Sequence, residues 1–208
     1  MTARVAVLVS GRGSNLQALL AAITAGALDA RIVYVASNHA DVPALEHARA
    51  SGVSCGVFEA PQIPGGRVAA QAAMVEALAA SRPDLVVLAG FDRILEDVVF
   101  EKLAGVPLLN IHPSLLPKHG GPGMLGARVH AAVLAAGERE SGCTVHLVER
   151  GVVDGGRIVL QRRVPVLPGD DVEALAARVL REEHVALVKA VRTFGPPRGG
   201  GSPRASSA

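Results

Sequence analysis

The stretch Val5-Ala6-Val7-Leu8-Val9-Ser10-Gly11-Arg12-Gly13-Ser14-Asn15-Leu16-Gln17 decides the architecture. Val5 to Val9 is a continuous, valine-rich apolar run, the mark of a strand buried on both faces in a parallel sheet. Two glycines then permit a tight turn. Leu16, Leu19, Leu20 and Ile23 follow at helical spacing, in a helix that Ser14 or Asn15 can cap. Exposed amides at such a helix start form an anion site, although the same stretch serves equally well as a capped helix with no ligand. G-x-G-x-x-L lacks the third glycine of a dinucleotide fingerprint. The next strand, Arg31 to Ser37, ends in Ser37-Asn38 without an acidic residue for a ribose. A phosphate suits this turn better than NAD.

Working outward, the strand and helix pattern repeats. A helix is expected from Pro43 to about Ala50, a short strand over Val53 to Phe58, and a Pro/Gly loop over Pro61 to Gly66. A helix over Arg67 to Ala80, a buried strand over Asp84 to Ala89, a helix from about Glu96 to Leu103 and a fifth strand ending near His112 follow. This order predicts an α/β fold, a Rossmann-like and mostly parallel sheet flanked by helices, with ligands along its carboxyl edge. After Pro117 the pattern changes. A glycine-rich loop over Lys118 to Gly126 precedes an Ala-rich helix over Ala127 to Ala136. Cys143 to Val148 and Ile158 to Val166 are then expected to pair as an antiparallel edge in the C-terminal half. Asp170 is placed to cap a last amphipathic helix running through Val172, Leu175, Val179, Val185 and Val188 to about Arg192. One domain is expected over residues 1–194, with a phosphate-binding half to about 105 and a catalytic half from about 106. Residues 195–208, rich in Gly, Pro and Ser, are expected to be a disordered tail.

Composition narrows the classes of function. Hydrophobic residues make up 50% and charged residues 19%, with mean hydropathy +0.35, which is too apolar for disorder. No uninterrupted apolar span is long enough to cross a bilayer, so no membrane partner is expected. A net charge of +2 with 2% aromatics supplies neither a broad basic surface nor stacking platforms, which argues against nucleic acid. Cys55 and Cys143 form no C-x-x-C pair, and Met1-Thr2-Ala3-Arg4 does not resemble a signal sequence, so a reducing cytoplasm is expected. The seven histidines include no H-x-x-x-H pair and no His/Cys cluster, so no metal is expected.

The chemistry gathers in Pro107-Leu108-Leu109-Asn110-Ile111-His112-Pro113-Ser114-Leu115-Leu116-Pro117. Asn110 and His112, two residues apart at a strand end, face one way, and prolines stop the strand beyond them. An isolated pair of this kind more often satisfies loop backbone, just as an isolated Asp154-Gly155 is more often an ordinary turn. Ser114, just past a proline and outside any activated-serine motif, belongs to the turn.

Several short motifs agree in order. Ser10-Gly11-x-Gly13-Ser14-Asn15-Leu16-Gln17, Leu88-Ala89-Gly90-Phe91-x-Arg93-Ile94-Leu95, the Asn110 to Pro117 segment, Asp154-Gly155-Gly156 and Glu183-His184 together resemble the phosphoribosylglycinamide formyltransferases of the formyltransferase superfamily. The resemblance runs from about Val5 to Val191. It implies transfer of a formyl group from 10-formyltetrahydrofolate, as co-substrate, to the glycyl amine of phosphoribosylglycinamide in purine synthesis. By it, Asn110, His112 and Asp154 match the catalytic residues. Gly13, Ser14, Asn15, Pro113 and Glu183 match the acceptor side, the first three cradling the phosphate and Glu183 meeting the ribose hydroxyls. Arg67, Arg93, Ile94, Leu95 and Asn110 match the folate side. The implied partners are small molecules, with the protein a monomer or homodimer.

The chain departs from the family where Asp92 replaces the usual Met, where Leu125 stands in place of a His found in many relatives, and in two loops. Gly120 to Gly123 is longer and richer in glycine, and Glu149 to Val153 is one residue longer. Formyl transfer needs a donor at the oxyanion and a route for one proton. Asn110 and His112 are expected to stabilise the oxyanion, and Asp154 to hold His112 charged and relay protons. A formyltetrahydrofolate hydrolase, an aminoacyl-tRNA transferase core and a phosphate-ligand or NAD-binding protein are the competing functions. No regulatory domain before Val5 and no second domain after Phe194 are expected, and the charge does not suit tRNA.

Overall fold

The computed structural model describes residues 2–194, so the tail expected over residues 195–208 lies outside the described residues. All five residues of Val5 to Val9 are fully buried, as a strand covered on both faces requires. They belong to β1 (Ala3–Val9), the centre of a seven-stranded sheet ordered β3-β2-β1-β4-β5-β6-β7. Here β2 is Ala30–Ser37, β3 Cys55–Val57, β4 Leu85–Leu88, β5 Leu108–His112, β6 Glu140–Leu147 and β7 Ile158–Pro165. The first five strands are parallel, while β6 runs antiparallel to β5 and β7 antiparallel to β6. The mostly parallel sheet with an antiparallel edge is therefore present.

Alternate residues of β1 feed two cores. Val5, Val7 and Val9 pack with Leu16 and Leu19 of α1 (Ser14–Thr24), Leu45 of α2 (Pro43–Ala50), Val133 of α5 (Ala127–Ala135), and Leu175 and Val179 of α6 (Val172–Phe194). Ala6 and Leu8 pack on the other face with Met74, Val75 and Leu78 of α3 (Gly66–Ala80) and Val99 of α4 (Asp97–Lys102). Parallel strands joined by helices on both faces leave one edge free for ligands, the carboxyl edge. Among the described residues, no helix is long and apolar enough to cross a membrane. Both cysteines are free, and burial first of all pushes the Cys143 thiol up to about 12, in keeping with a packing role.

Local chemistry moves several boundaries. Neither Ser14 nor Asn15 caps α1: Gly13, at φ 79°, occupies that position with no side-chain bond. A Cβ on Gly13 would stand 2.7 Å from Ala44, so both the left-handed backbone and the approach of α2 demand glycine. Asp170 does not cap α6. Asp171 accepts the Ala174 N–H at 2.8 Å, while Asp170 accepts from the Leu167 N–H and the Arg178 guanidinium. The third strand shortens to three residues, its length set by pairing with Val35 to Ser37. Strand β6 begins at Glu140, earlier than alternation indicated, because Glu140 to Gly142 pair with Arg163 to Pro165.

Candidate active site

The order β3-β2-β1-β4-β5 reverses direction between β1 and β4, and the loops leaving these strands surround the crevice that such a switch point creates. At its far side β5 ends with Asn110 and His112 on one face, as the i, i+2 spacing requires. Antiparallel pairing sets His146 opposite Asn110 and Thr144 opposite His112. His146 was not singled out in the sequence. The visible signal was Thr144-Val145-His146, which alternates like Asn110-Ile111-His112, but only the strand register brings the two faces together.

Hydrogen bonds fix the tautomers. The His112 Nε2–H donates to the His119 carbonyl at 2.9 Å, which leaves Nδ1 as the titrating atom, 3.5 Å from Asp154 Oδ2. In the same way the His146 Nδ1–H donates to the Leu147 carbonyl at 2.9 Å, so Nε2 accepts from Asn110 Nδ2 at 3.1 Å. That bond orients the carboxamide, whose Nδ2 also reaches Asp154 Oδ1 at 3.5 Å. Asp154 has φ 52°, a left-handed conformation, and accepts the Gly121 N–H at 2.9 Å. Gly120 lies so close that a Cβ there would stand 2.5 Å from Leu116 Cδ2 and 3.2 Å from Asp154 Cβ. The glycine-rich loop thus packs against the carboxylate. Ser114 donates to the Lys118 carbonyl at 2.6 Å, as a turn residue does.

The expectation that Asp154 holds His112 charged needs correction for the free protein. Burial lowers the His112 pKa, and His146 adds to this, more than Asp154 and the His119 carbonyl raise it. Only 3% of His112 is exposed, so water cannot support its charge. Burial works against the Asp154 charge as well. A hydrogen bond from His146 and the charge on His112, each available when its ring is protonated, outweigh it together with the Gly121 N–H and hold its pKa below the ordinary value. The resting pair is therefore a carboxylate beside a neutral imidazole, ready to take up a proton on Nδ1.

Across the crevice, the Gly11 to Asn15 turn opens α1 with its first amides free of helix partners. Asn15, however, turns inward, and its Nδ2 donates to Glu183 Oε2 on α6 at 2.8 Å. Burial raises the Glu183 pKa despite this bond and the proximity of Arg12. Asn15 Oδ1 has no partner among the described residues, so an acceptor lone pair stands buried beside the anion turn. Pro113 is half-buried at the end of β5.

The loop after β4 carries the remaining expected residues. Arg93 and Ile94 are exposed, whereas Leu95 is buried among Phe91, Val99 and Leu103. Arg67 on α3 pairs with Glu96 at 2.5 Å. A cavity of about 220 Å³ runs between Arg67, Arg93, His39 and Phe58. Gln71, also unremarked in the sequence, braces this loop: its Nε2 donates to the Ile94 carbonyl at 2.9 Å, and its Oε1 accepts the Glu96 N–H at 2.8 Å. A glutamine at i with Met74, Val75 and Leu78 at i+3, i+4 and i+7, on the apolar stripe of the helix, was the available signal. Among the described residues no group of three or more His, Cys, Asp or Glu side chains is arranged to hold a metal ion.

With this geometry in hand, residues 3–191 match the model of the formyl transferase family. The chain is 39% identical over 194 residues to phosphoribosylglycinamide formyltransferase of Escherichia coli (strain K12), covering 93% of this chain and 88% of that protein. It is 46% identical over 190 residues to the trifunctional purine biosynthetic protein adenosine-3 of Drosophila pseudoobscura pseudoobscura, covering 90% of this chain. That match spans only 13% of the Drosophila protein, and 18% of its Bos taurus counterpart. The crystal structure of glycinamide ribonucleotide transformylase 1 from Symbiobacterium toebii superposes with TM-score 0.85 at 41% identity, covering 93% and 87% of the two chains. Phosphoribosylglycinamide formyltransferase from Brucella melitensis gives TM-score 0.84 at 40% identity, with 93% and 96% covered.

Proposed function

The chain belongs to the formyl transferase family, and from that premise we propose that it passes the formyl group of 10-formyltetrahydrofolate to the glycyl amine of phosphoribosylglycinamide, a step of purine biosynthesis. The observation that carries the proposal is the convergence of Asn110, His112 and Asp154 at the carboxyl edge, opposite an anion turn.

The amine nitrogen attacks the formyl carbon, a C–N bond forms, and the carbonyl oxygen gains negative charge. The donors for that oxyanion are Asn110 Nδ2–H and His112 Nδ1, which takes a proton from solvent as the oxyanion forms and returns it when the intermediate collapses. Removing one such donor costs on the order of 3 kcal/mol of barrier. The neutral resting imidazole fits this role, because the proton that charges His112 stabilises the intermediate most in a site where burial otherwise opposes it. Asp154 accepts the proton released by the amine, through water, and returns it to the departing folate nitrogen as the old C–N bond breaks. No protein nucleophile and no redox step enter this scheme.

The acceptor's phosphate is assigned to the Gly13, Ser14 and Asn15 turn, where amides and helix dipole favour an anion, with Pro113 and Glu183 lining the same side. Folate is assigned to the side of Arg67, Arg93, Ile94, Leu95 and Asn110. The partners are small molecules, and a cytoplasmic setting suits two free thiols. The deciding experiment supplies 10-formyltetrahydrofolate with and without phosphoribosylglycinamide and follows formyl transfer. Tetrahydrofolate appearing only with the acceptor supports the proposal; equal release without it would make the protein a hydrolase.

A further inference from the structure

Three adjacent strands, β2, β1 and β4, end beside the switch point, and side chains from the segments that follow them form a network separate from the Asn110 cluster. The Asp92 N–H donates to Ser10 Oγ at 2.9 Å, and the Ser10 hydroxyl donates to Asn38 Oδ1 at 2.5 Å. Asn38 Nδ2 donates to Asp92 Oδ1 at 2.7 Å, and His39 Nε2 meets Asp92 Oδ2 at 2.9 Å. Arg93 Nε stands 3.6 Å from Asp92 Oδ1. A carboxylate offers about four lone-pair sites. Both oxygens of Asp92 are engaged by Asn38 and His39 from the segment after β2, which leaves the group suited to fastening protein segments together and little suited to holding a ligand.

The location gives the fastening a purpose. Ser10 immediately precedes the Gly11 to Asn15 turn, and Asp92 immediately precedes Arg93 and Ile94. Burial disfavours charge on Asp92, yet His39, Asn38 and Arg93 together hold its pKa below the ordinary value, so it is ionised at neutral pH. An isolated pair as exposed as His39 and Asp92, at 38% and 34%, contributes little to stability. The consequence of the network therefore lies in geometry.

Building on the functional reading above, we propose that Asp92 is a positioning residue that, through Ser10, Asn38 and His39, sets the spacing between the acceptor turn and the folate-side loop and so couples the binding of the two substrates. Removing the tie lets each wall relax separately, and one ligand no longer prepares the site for the other. Such coupling is reciprocal, the same factor appearing in both affinities.

Calorimetric titration of the full chain tests this with tetrahydrofolate, in the presence and absence of saturating phosphoribosylglycinamide. In the parent protein the acceptor is expected to tighten folate binding by about fivefold or more, within the usual range of coupled sites. Asp92→Asn places an amide N–H against the donors of Asn38 or His39 and is expected to bring that factor near one, with single-turnover rates at saturation changing far less than either KM. His39→Ala is expected to do the same, whereas His39→Gln, whose Nε2 can still donate to Asp92, restores most of the coupling. Ser10→Ala, at a half-buried site, carries the same test should Asp92→Asn fold poorly. Unchanged coupling in well-folded Asp92→Asn or Ser10→Ala, or no coupling in the parent protein, overturns this inference alone. A parent protein that binds neither ligand overturns the functional proposal, and this inference with it.

Discussion

Asn110 on β5 donates its amide to His146 Nε2 on β6 at 3.1 Å, so a residue outside the expected catalytic set determines which way the carboxamide faces. The His146 Nδ1–H is committed to the Leu147 carbonyl, so Nε2 must accept. Replacing His146 by Leu frees the carboxamide to rotate its oxygen toward the reacting carbonyl. A lost orienting hydrogen bond of about 1 to 1.5 kcal/mol corresponds to a roughly tenfold fall in kcat. KM for both substrates is expected to change much less. Steady-state kinetics check this, and unchanged kcat would mean that β5 alone orients Asn110.

The second prediction concerns Asn15. Its donation to Glu183 joins α1 to α6 across 168 residues of sequence. Asn15→Leu therefore removes a residue of the anion turn and also leaves a buried carboxyl without its donor, at about 1 to 3 kcal/mol. The melting temperature is expected to fall, and acceptor KM to rise well beyond folate KM. Glu183→Gln separates the two effects, since it removes the buried acid while leaving the Gly13 and Ser14 amides intact. It is expected to disturb acceptor binding with little loss of stability. Equal rises in both KM values for Asn15→Leu would indicate general distortion.

These cases mark what could be read from residues alone. Strands such as Val5 to Val9 and helices such as Pro43 to Ala50 were legible because apolar spacing and proline placement are local signals. Asn110 and His112 were legible as a facing pair for the same reason. His146 and Gln71 were not, because each acts through a partner fixed by tertiary pairing, β6 against β5 and α3 against the Ile94 loop. The capping expectations at Ser14, Asn15 and Asp170 failed where the backbone chose otherwise. Gly13 took the left-handed position at α1, and Asp170 found Arg178 while its neighbour took the cap. The neutral state of His112 was also invisible, since charge at a given site depends on depth, which no local pattern encodes.

The third prediction is a pH dependence of stability. Burial lowers the pKa values of His112, His130 and His184 from an ordinary 6.5. The unfolded chain then binds more protons than the folded one below about 6.5, so stability falls as pH drops through that range. Asp92 and Asp154 are lowered from 3.8, and their contributions fade only in stronger acid. Glu183 is raised from 4.5 and works in the opposite sense, its contribution being lost as pH rises through its folded value. Melting temperature is expected to decrease between pH 7.5 and 5.5. His130→Gln removes one buried imidazole whose Nδ1 has no partner among the described residues, and is expected to flatten that slope. Equal slopes for the two proteins would remove His130 from the account.

The last prediction tests the shared role of Asn110, His112 and Asp154. Asp154→Asn keeps the shape of the side chain but removes the charge 3.5 Å from His112 Nδ1, so the imidazole loses the group that favours its protonation and the amine loses its proton acceptor. Turnover is expected to collapse while both substrates still bind. The left-handed backbone at position 154 tolerates Asn, so the variant is expected to fold. His112→Ala and Asn110→Ala are expected to strike turnover as well, by about two to three orders of magnitude for the loss of an oxyanion donor. If the three groups act on one transition state, their losses do not multiply. Once His112 is gone, Asp154 has no imidazole to charge, and the double variant His112→Ala with Asp154→Asn is expected to cost clearly less than the product of the single losses. Single-turnover rates, with substrate affinities measured separately, decide the matter. Near-normal turnover in Asp154→Asn, or fully multiplicative losses in the double variant, would return Asp154 to the status of a turn residue held by Gly121.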